Sequence, residues 1–155
     1  AKTLGMIHVN ITALTELTQR LLPGMIKRKR GRILNVASTA AFQPGPFMAV
    51  YYATKAYVLS FSEALHEELR GTGVTVTTLC PGPTATNFQT RAFIESVALF
   101  RTGVMDAMTV ARIGYAALNR GQRLVIPGLS NTLGAWLTRL APRGLLLRLV
   151  RSLHT

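Results

Sequence analysis

The sequence predicts an α/β fold built on a parallel sheet, a partial doubly wound arrangement followed by a C-terminal helical tail. Two observations carry that expectation. Segments with strand character alternate with segments of helical period, an order that calls for parallel strands joined by right-handed helical crossovers. The composition agrees: of 155 residues, 48% are hydrophobic and 15% charged, which supports a sizeable core and argues against global disorder. The length is that of a single domain.

Ile7, Ile11, Leu14, Leu17 and Leu21 recur at helical spacing, so Thr3 to Lys29 reads as a helix, with Pro23-Gly24 as a point of kinking or shortening. Ile33-Leu34-Asn35-Val36-Ala37 reads as a short buried strand that ends at Ser38, before a loop holding Pro44, Gly45 and Pro46. Val50 to Arg70 forms a second helix, striped by Leu59, Leu65 and Leu69 and stopped by Gly71 and Gly73. Val74 to Leu79 is rich in β-branched residues and reads as a second strand, closed by Pro81-Gly82-Pro83. Thr86 to Phe100 has no clear period and reads as a loop with helical pieces. Ala107 to Asn119 is a further helix and Arg123 to Ile126 a third strand. Leu129 to Thr155 is a basic, leucine-rich tail, in which Leu133, Trp136, Leu137 and Leu140 share one helical face until Pro142-Arg143-Gly144 breaks it. The division is therefore an α/β part, 1–128, and a basic amphipathic tail, 129–155. Ligands in such sheets bind beyond the carboxyl ends of the strands, which directs attention to Ser38 and to Cys80-Pro81-Gly82.

Several function classes fall away. A single cysteine, Cys80, excludes a disulfide framework within the chain and favours a reducing compartment, so a cytoplasmic location is expected. His8, His66 and His154 lie far apart and lack ligand-spaced neighbours, so no metal site is expected. The formal net charge is +12, from 18 basic and 6 acidic residues. Lys27, Arg28, Lys29, Arg30 and Arg32 form one cluster, and no acid follows Asp106. Such a balance fits a solvated basic face or an anionic partner, either a phosphate-bearing cofactor or a membrane surface. Nucleic acid is set aside, because no binding motif occurs and no aromatics interleave with the basic cluster. The tail's apolar runs are too short to span a bilayer. A basic amphipathic helix of this kind either lies peripherally on an anionic membrane, packs on its own domain, or covers a dimer face.

Five features have chemical potential, and each has an ordinary structural reading beside it. Tyr51 and Lys55, four apart on a helix, share one face. An ammonium beside a phenol favours the phenolate and would bring its pKa toward the range a general acid/base needs. Ser38 stands at a strand end thirteen residues before Tyr51, placed to meet the start of the same helix. Tyr52 competes with Tyr51, but only Tyr51 keeps both the step from Ser38 and the step to Lys55. Asn10 lies on or beside an apolar helical stripe, where a buried amide needs partners. Pro81-Gly82-Pro83-Thr84-Ala85-Thr86 follows a strand; Gly82 allows close backbone approach, and Thr84 and Thr86 offer hydroxyls to an anionic group.

Asn10 in its helix, Asn35-Val36-Ala37-Ser38, Tyr51-Tyr52-Ala53-Thr54-Lys55 and Pro81-Gly82-Pro83-Thr84-Ala85-Thr86 together resemble the short-chain dehydrogenase/reductase family, over about Thr3 to Gly128. The resemblance implies the C-terminal, catalytic half of a Rossmann-like domain using NAD or NADP. It implies Tyr51 as general acid/base and Lys55 as the group that lowers the Tyr51 pKa and binds the nicotinamide ribose. Ser38 would polarise the substrate oxygen, and Asn10 would hold a water linking Lys55 to solvent. Pro81, Gly82, Thr84 and Thr86 would lie along the cofactor. Thr86 to about Thr102 would be a substrate lid, and its Phe93, Ile94, Val97, Leu99 and Phe100 point to a hydrophobic carbonyl or alcohol as the small-molecule partner. The family's Gly-rich phosphate loop is absent from the sequence, and the chain begins at Ala1 within a helical pattern, so the expectation is a piece of a longer enzyme, inactive by itself. A homodimer or homotetramer is expected of the full protein. The alternative is a non-catalytic remnant acting through association or peripheral membrane binding.

Overall fold

The computed structural model describes residues 2–85 and 104–153. It opens on a nearly unbroken helical rod: α1 (Lys2–Ile7), a π-helical turn (His8–Ala13) and α2 (Leu14–Lys27). Then come β1 (Gly31–Val36), a 3-10 turn (Thr39–Phe42), α3 (Ala49–Glu68) and β2 (Val74–Leu79). The short strands β3 (Thr84–Ala85) and β4 (Met105–Asp106) precede α4 (Ala107–Asn119), β5 (Leu124–Val125), α5 (Leu129–Leu140) and α6 (Arg143–Leu153).

The main sheet has the order β1-β2-β5 and is parallel throughout. The register of its long pair runs from Gly31 opposite Val74 to Val36 opposite Leu79. Alternation along β2 sends successive side chains to opposite faces. Val74 and Val76 pack with Leu69, Leu65, Leu22 and Met25, from α3 and α2 and the residue closing α3. Cys80, one residue past the strand, joins Ala37, Val58 and Leu59 on the same side. On the other side Gly114 of α4 is so close to Leu79 that a Cβ there would come within 2.7 Å of it. The fold is thus three layers, α2 and α3 on one face of the sheet and α4 on the other, an α/β Rossmann-like fragment. The sheet advances in one direction while α3 and α4 lie on opposite faces. The two connections therefore differ in hand, and the expectation of right-handed crossovers throughout holds for only one of them.

Other differences have local causes. Pro23 does not stop the helix; α2 runs through it to Lys27. Along α2 the inward positions are Leu14, Thr18, Leu22 and Met25, whereas Leu17 and Leu21, read from the sequence as part of the stripe, are exposed. The inward run Ile7, Ile11, Leu14, Thr18, Leu22 and Met25 keeps helical spacing; from Leu14 it continues at i+4 through Thr18, whose hydroxyl is satisfied by donating to Leu14 O at 2.8 Å, rather than at i+3 through Leu17. The third strand shrinks to Leu124–Val125. Asp106, the last acid in the sequence, caps α4 by accepting from the backbone N–H groups of Met108 (2.9 Å) and Thr109 (2.8 Å). The Thr109 hydroxyl also donates to it, and together these bonds hold its carboxyl below the usual range.

The tail is no separate unit. Leu146 and Val150 of α6 are buried together with Ala40 and Tyr52, and Met48, Tyr51 and Ala141 pack around them.

Thr77 is fully buried on β2, and its hydroxyl finds no hydrogen-bond partner among the described residues. A buried unpaired hydroxyl costs roughly 1–3 kcal/mol. Thr77→Val should therefore leave the melting temperature unchanged or raise it, with a gain of up to about 1 kcal/mol in denaturant titration; a clear loss would mean that the hydroxyl is paired.

Candidate functional site

The site grows from the carboxyl ends of β1 and β2. The pairing continues past both strands: the Ala37 N–H donates to Leu79 O (2.8 Å) and the Thr39 N–H donates to Pro81 O (2.9 Å). Ser38 is held between these bonds in extended backbone (φ −172°, ψ 163°) as the cap of the 3-10 turn. Its Oγ accepts from the Ala40 N–H at 3.1 Å. The Ser38 hydroxyl is hydrogen-bonded to Tyr51, and the bond pulls the phenol's value down, as donation to the phenolic oxygen does.

Tyr51 and Lys55 sit in the first half of α3. The Lys55 ammonium lies over the Tyr51 ring, 5.9 Å from its centre, and donates to Val36 O at 3.0 Å. Ser38, Tyr51 and Lys55 thus meet at the rim of the sheet. The competition between the tyrosines resolves through their partners. Tyr52 is buried among α6 side chains and bonds Gln43, while Tyr51 takes Ser38. The two rings meet edge to face, 5.9 Å apart.

The electrostatics differ from the sequence expectation. The Tyr51 phenol is pushed above its usual value, chiefly by burial, with the Ser38 hydrogen bond pulling the other way. Lys55 is not among the causes. Its amine lies over the ring face, and burial pushes its own pKa down, with Cys80 opposing. Desolvation by burial thus sets the direction at Tyr51, against the hydrogen bond from Ser38.

Asn10 lies in the π turn, a feature without a sequence signature. Its Nδ2 donates to Thr54 Oγ1 at 3.1 Å, and Thr54 Oγ1 donates to Tyr51 O at 2.8 Å. These bonds tie the π turn to the Tyr51 turn of α3. Thr54 went unnoticed in the sequence, since a threonine inside a helix carries no signal of its own.

The Pro81-Gly82 turn is closed on one side by α5. A Cβ on Gly82 would lie 2.5 Å from the Asn131 amide, which donates to Pro127 O at 2.7 Å. Thr84 turns its hydroxyl back to Gly82 O at 2.9 Å rather than outward to an anion. Thr86, and the expected lid to about Thr102, lie outside the described residues. Beside the site is a cleft of about 720 Å³, walled by Phe42, Pro46, Tyr52, Arg139, Leu146 and Leu147 among others. The tail supplies much of that wall, a contribution invisible to a reading that set 129–155 apart.

Comparison with known proteins agrees with this geometry. The short chain dehydrogenase family matches residues 2–96, the N-terminal part of this chain and a shorter span than the Thr3–Gly128 the resemblance implied. The human very-long-chain 3-oxoacyl-CoA reductase is 45% identical over 76 residues, 49% of this chain and 24% of that protein. A ketoacyl reductase of Nostoc is 42% identical over 82 residues, 53% of this chain and 29% of that one. Among solved structures, a short-chain dehydrogenase from Sphingobium yanoikuyae in complex with NADPH superimposes with a TM-score of 0.72 at 30% identity, covering 86% of this chain and 54% of that chain. One from Burkholderia cenocepacia in complex with NADP gives 0.76 at 24%, covering 99% and 61%. The aligned stretch is about a quarter of the length of the curated relatives.

Two outcomes check the site's packing. The Cys80 thiol is fully buried and pushed up to about 12. Thiolate is the reactive form, and a group with so high a value stays protonated until the pH climbs to it. At pH 8 Ellman's reagent should leave the native protein unlabelled and react once urea unfolds it; prompt native labelling would show that the strand end opens. A Cβ on Gly45 would stand 2.2 Å from the Tyr52 ring. Gly45→Ala should therefore displace Tyr52 and destabilise by about 1–3 kcal/mol, measured by denaturant titration, and an unchanged midpoint would contradict the close packing.

Proposed function

The chain belongs to the short-chain dehydrogenase family, and from that premise we propose that it is the catalytic part of an NAD(P)-dependent oxidoreductase interconverting a carbonyl and an alcohol. The observation that carries the reading is the meeting of the Ser38 hydroxyl, the Tyr51 phenol and the Lys55 ammonium at the carboxyl rim of a parallel sheet, where such sheets bind ligands.

The residues present fit the nicotinamide end of a dinucleotide. Lys55, at the rim, would hold a ribose hydroxyl with its amine, and Pro81-Gly82 turns at the adjacent strand end, where it would lie against the nicotinamide. A nicotinamide bound there would supply or accept the hydride. Two similar structures hold NADPH and NADP, which favours the phosphorylated cofactor. With substrate bound, Ser38 would turn its hydroxyl proton from Tyr51 to the substrate oxygen and hold that oxygen beside Tyr51. Tyr51 gives its phenolic proton to that oxygen in reduction and takes it back in oxidation. Lys55 stabilises the phenolate that remains after transfer. Asn10 acts through Thr54 to fix the turn that carries Tyr51. By resemblance to the family, Thr84 and Thr86 would contact the cofactor.

The substrate we take to be a ketone on an apolar acyl chain. The matched relatives are named as reductases of 3-oxoacyl and ketoacyl compounds, and the cleft beside Tyr52 has apolar walls with Arg139 and Arg143 at its border. The exposed Leu17 and Leu21 of α2 are placed to join a second subunit.

Tyr51→Phe, made in the intact protein with whatever precedes Ala1 retained, should lower kcat/KM for ketone reduction by about 10²–10⁴ and leave the circular dichroism spectrum unchanged. Undiminished turnover in a folded Tyr51→Phe variant would overturn the assignment.

A further inference from the structure

α5 is built inside out. Leu129, Leu133, Trp136, Leu137 and Leu140 fall on one helical stripe, and that stripe faces away from the protein: their exposures are 91%, 61%, 61%, 55% and 82%. The residue buried on the opposite side is the small Ala135. A helix anchored on a folded body ordinarily turns its leucines inward. The inversion here is not loose packing, because the next helix is firmly seated by Leu146 and Val150. Leu145 and Leu149 of α6 are exposed as well, at 62% and 57%, and extend the apolar surface.

The charges around this surface are of one sign. Arg139 lies over the Trp136 ring, 5.4 Å from its centre, and Arg143 and Arg148 are exposed on the next helix. No carboxylate side chain follows Asp106 in the sequence. A second copy of this chain seated symmetrically on the stripe would bring these arginines face to face without a counter-charge. Phosphate headgroups supply that charge. Arginine can lay its stem along apolar surface while its head stays at the interface, and tryptophan is favoured at the same depth. No described helix is long and apolar enough to cross a membrane, so the stripe would lie in the interface plane.

We propose that the α5–α6 surface docks on a bilayer carrying anionic lipid, with Leu129, Leu133, Trp136, Leu137 and Leu140 inserted among the acyl chains and Arg139, Arg143 and Arg148 at the phosphates. The same two helices wall the cleft beside Tyr52, so docking brings the cleft against the bilayer surface, from which an apolar substrate is drawn.

The test is sedimentation of the intact protein with large vesicles, either pure phosphatidylcholine or containing 30% phosphatidylglycerol as a set composition, roughly spanning neutral to anionic surfaces. Deleting the tail is uninformative, since Leu146 and Val150 belong to the core. Leu133→Asp with Leu137→Asp alters only exposed side chains. Binding to anionic vesicles is expected to exceed binding to neutral ones by about tenfold. The double variant should lose about tenfold or more with its thermal melt unchanged, and Arg148→Glu should weaken binding to anionic vesicles alone. Tyr51→Phe should bind as the parent does, which separates this proposal from the catalytic one. Absence of vesicle binding overturns it. So does a double variant that still binds, or one whose only change is loss of self-association in gel filtration, which would place a second copy on the stripe.

Discussion

The pairing of β1 with β2 extends beyond the strands themselves, and the arrangement at the rim depends on that extension. Six residues pair in register, and two further bonds, from Ala37 to Leu79 and from Thr39 to Pro81, carry the alignment to the point where the chains diverge. Ser38 lies between them with both neighbouring amides committed. A hydroxyl on a free loop would sample many positions. Here its backbone is fixed on each side, its lone pair is taken by Ala40, and its proton has one direction left. The Tyr51 turn of α3 is fixed separately, by Asn10 through Thr54 and by the packing of α6 against Tyr52. Two elements, each held by several bonds, meet through the Ser38–Tyr51 bond and the Lys55–Val36 bond, which is how a fold converts cooperative packing into a defined distance between side chains.

The fold was legible where a single period ruled a segment. β2 and α4 have the bounds that β-branched content and helical spacing indicated, since Val74–Leu79 and Ala107–Asn119 are pure in pattern. The stripe on the first helix was misplaced after Leu14, because the inward line continues through Thr18, a polar residue whose hydroxyl bonds Leu14 O, while hydrophobicity pointed to Leu17 and Leu21. The side of the sheet on which α4 lies was equally hidden, as local propensity carries no information about handedness. Of the site, the grouping of Ser38, Tyr51 and Lys55 could be read from spacing. The roles of Thr54, Gln43 and Asn131 could not, because each acts through a contact between distant segments.

The tail shows the same limit from another side. Its amphipathic pattern was plain in the sequence, but a pattern states only that one face is apolar. Burial decides which way that face turns. In α6 the apolar positions Leu146 and Val150 enter the core beside Tyr52, whereas in α5 they point out. Two consecutive helices of similar composition thus have opposite relations to the body, and the second, by packing on the turn that holds both tyrosines, makes the tail part of the site's support.

Burial acts on both titrating groups at that turn, and in opposite senses. It raises the Tyr51 phenol and lowers the Lys55 amine, so in each case the neutral form is favoured. For the phenol the sign is simple: with its value raised, the protonated form persists through neutral pH and is lost only as the pH rises past that value. A general acid must hold a proton before it can give one; burial keeps the phenol in that form at neutral pH and by the same cause makes it a weaker acid. Once the proton has left, a phenolate stands in a half-buried place beside an amine that burial has made easier to neutralise, and only the Ser38 bond directly opposes the cost.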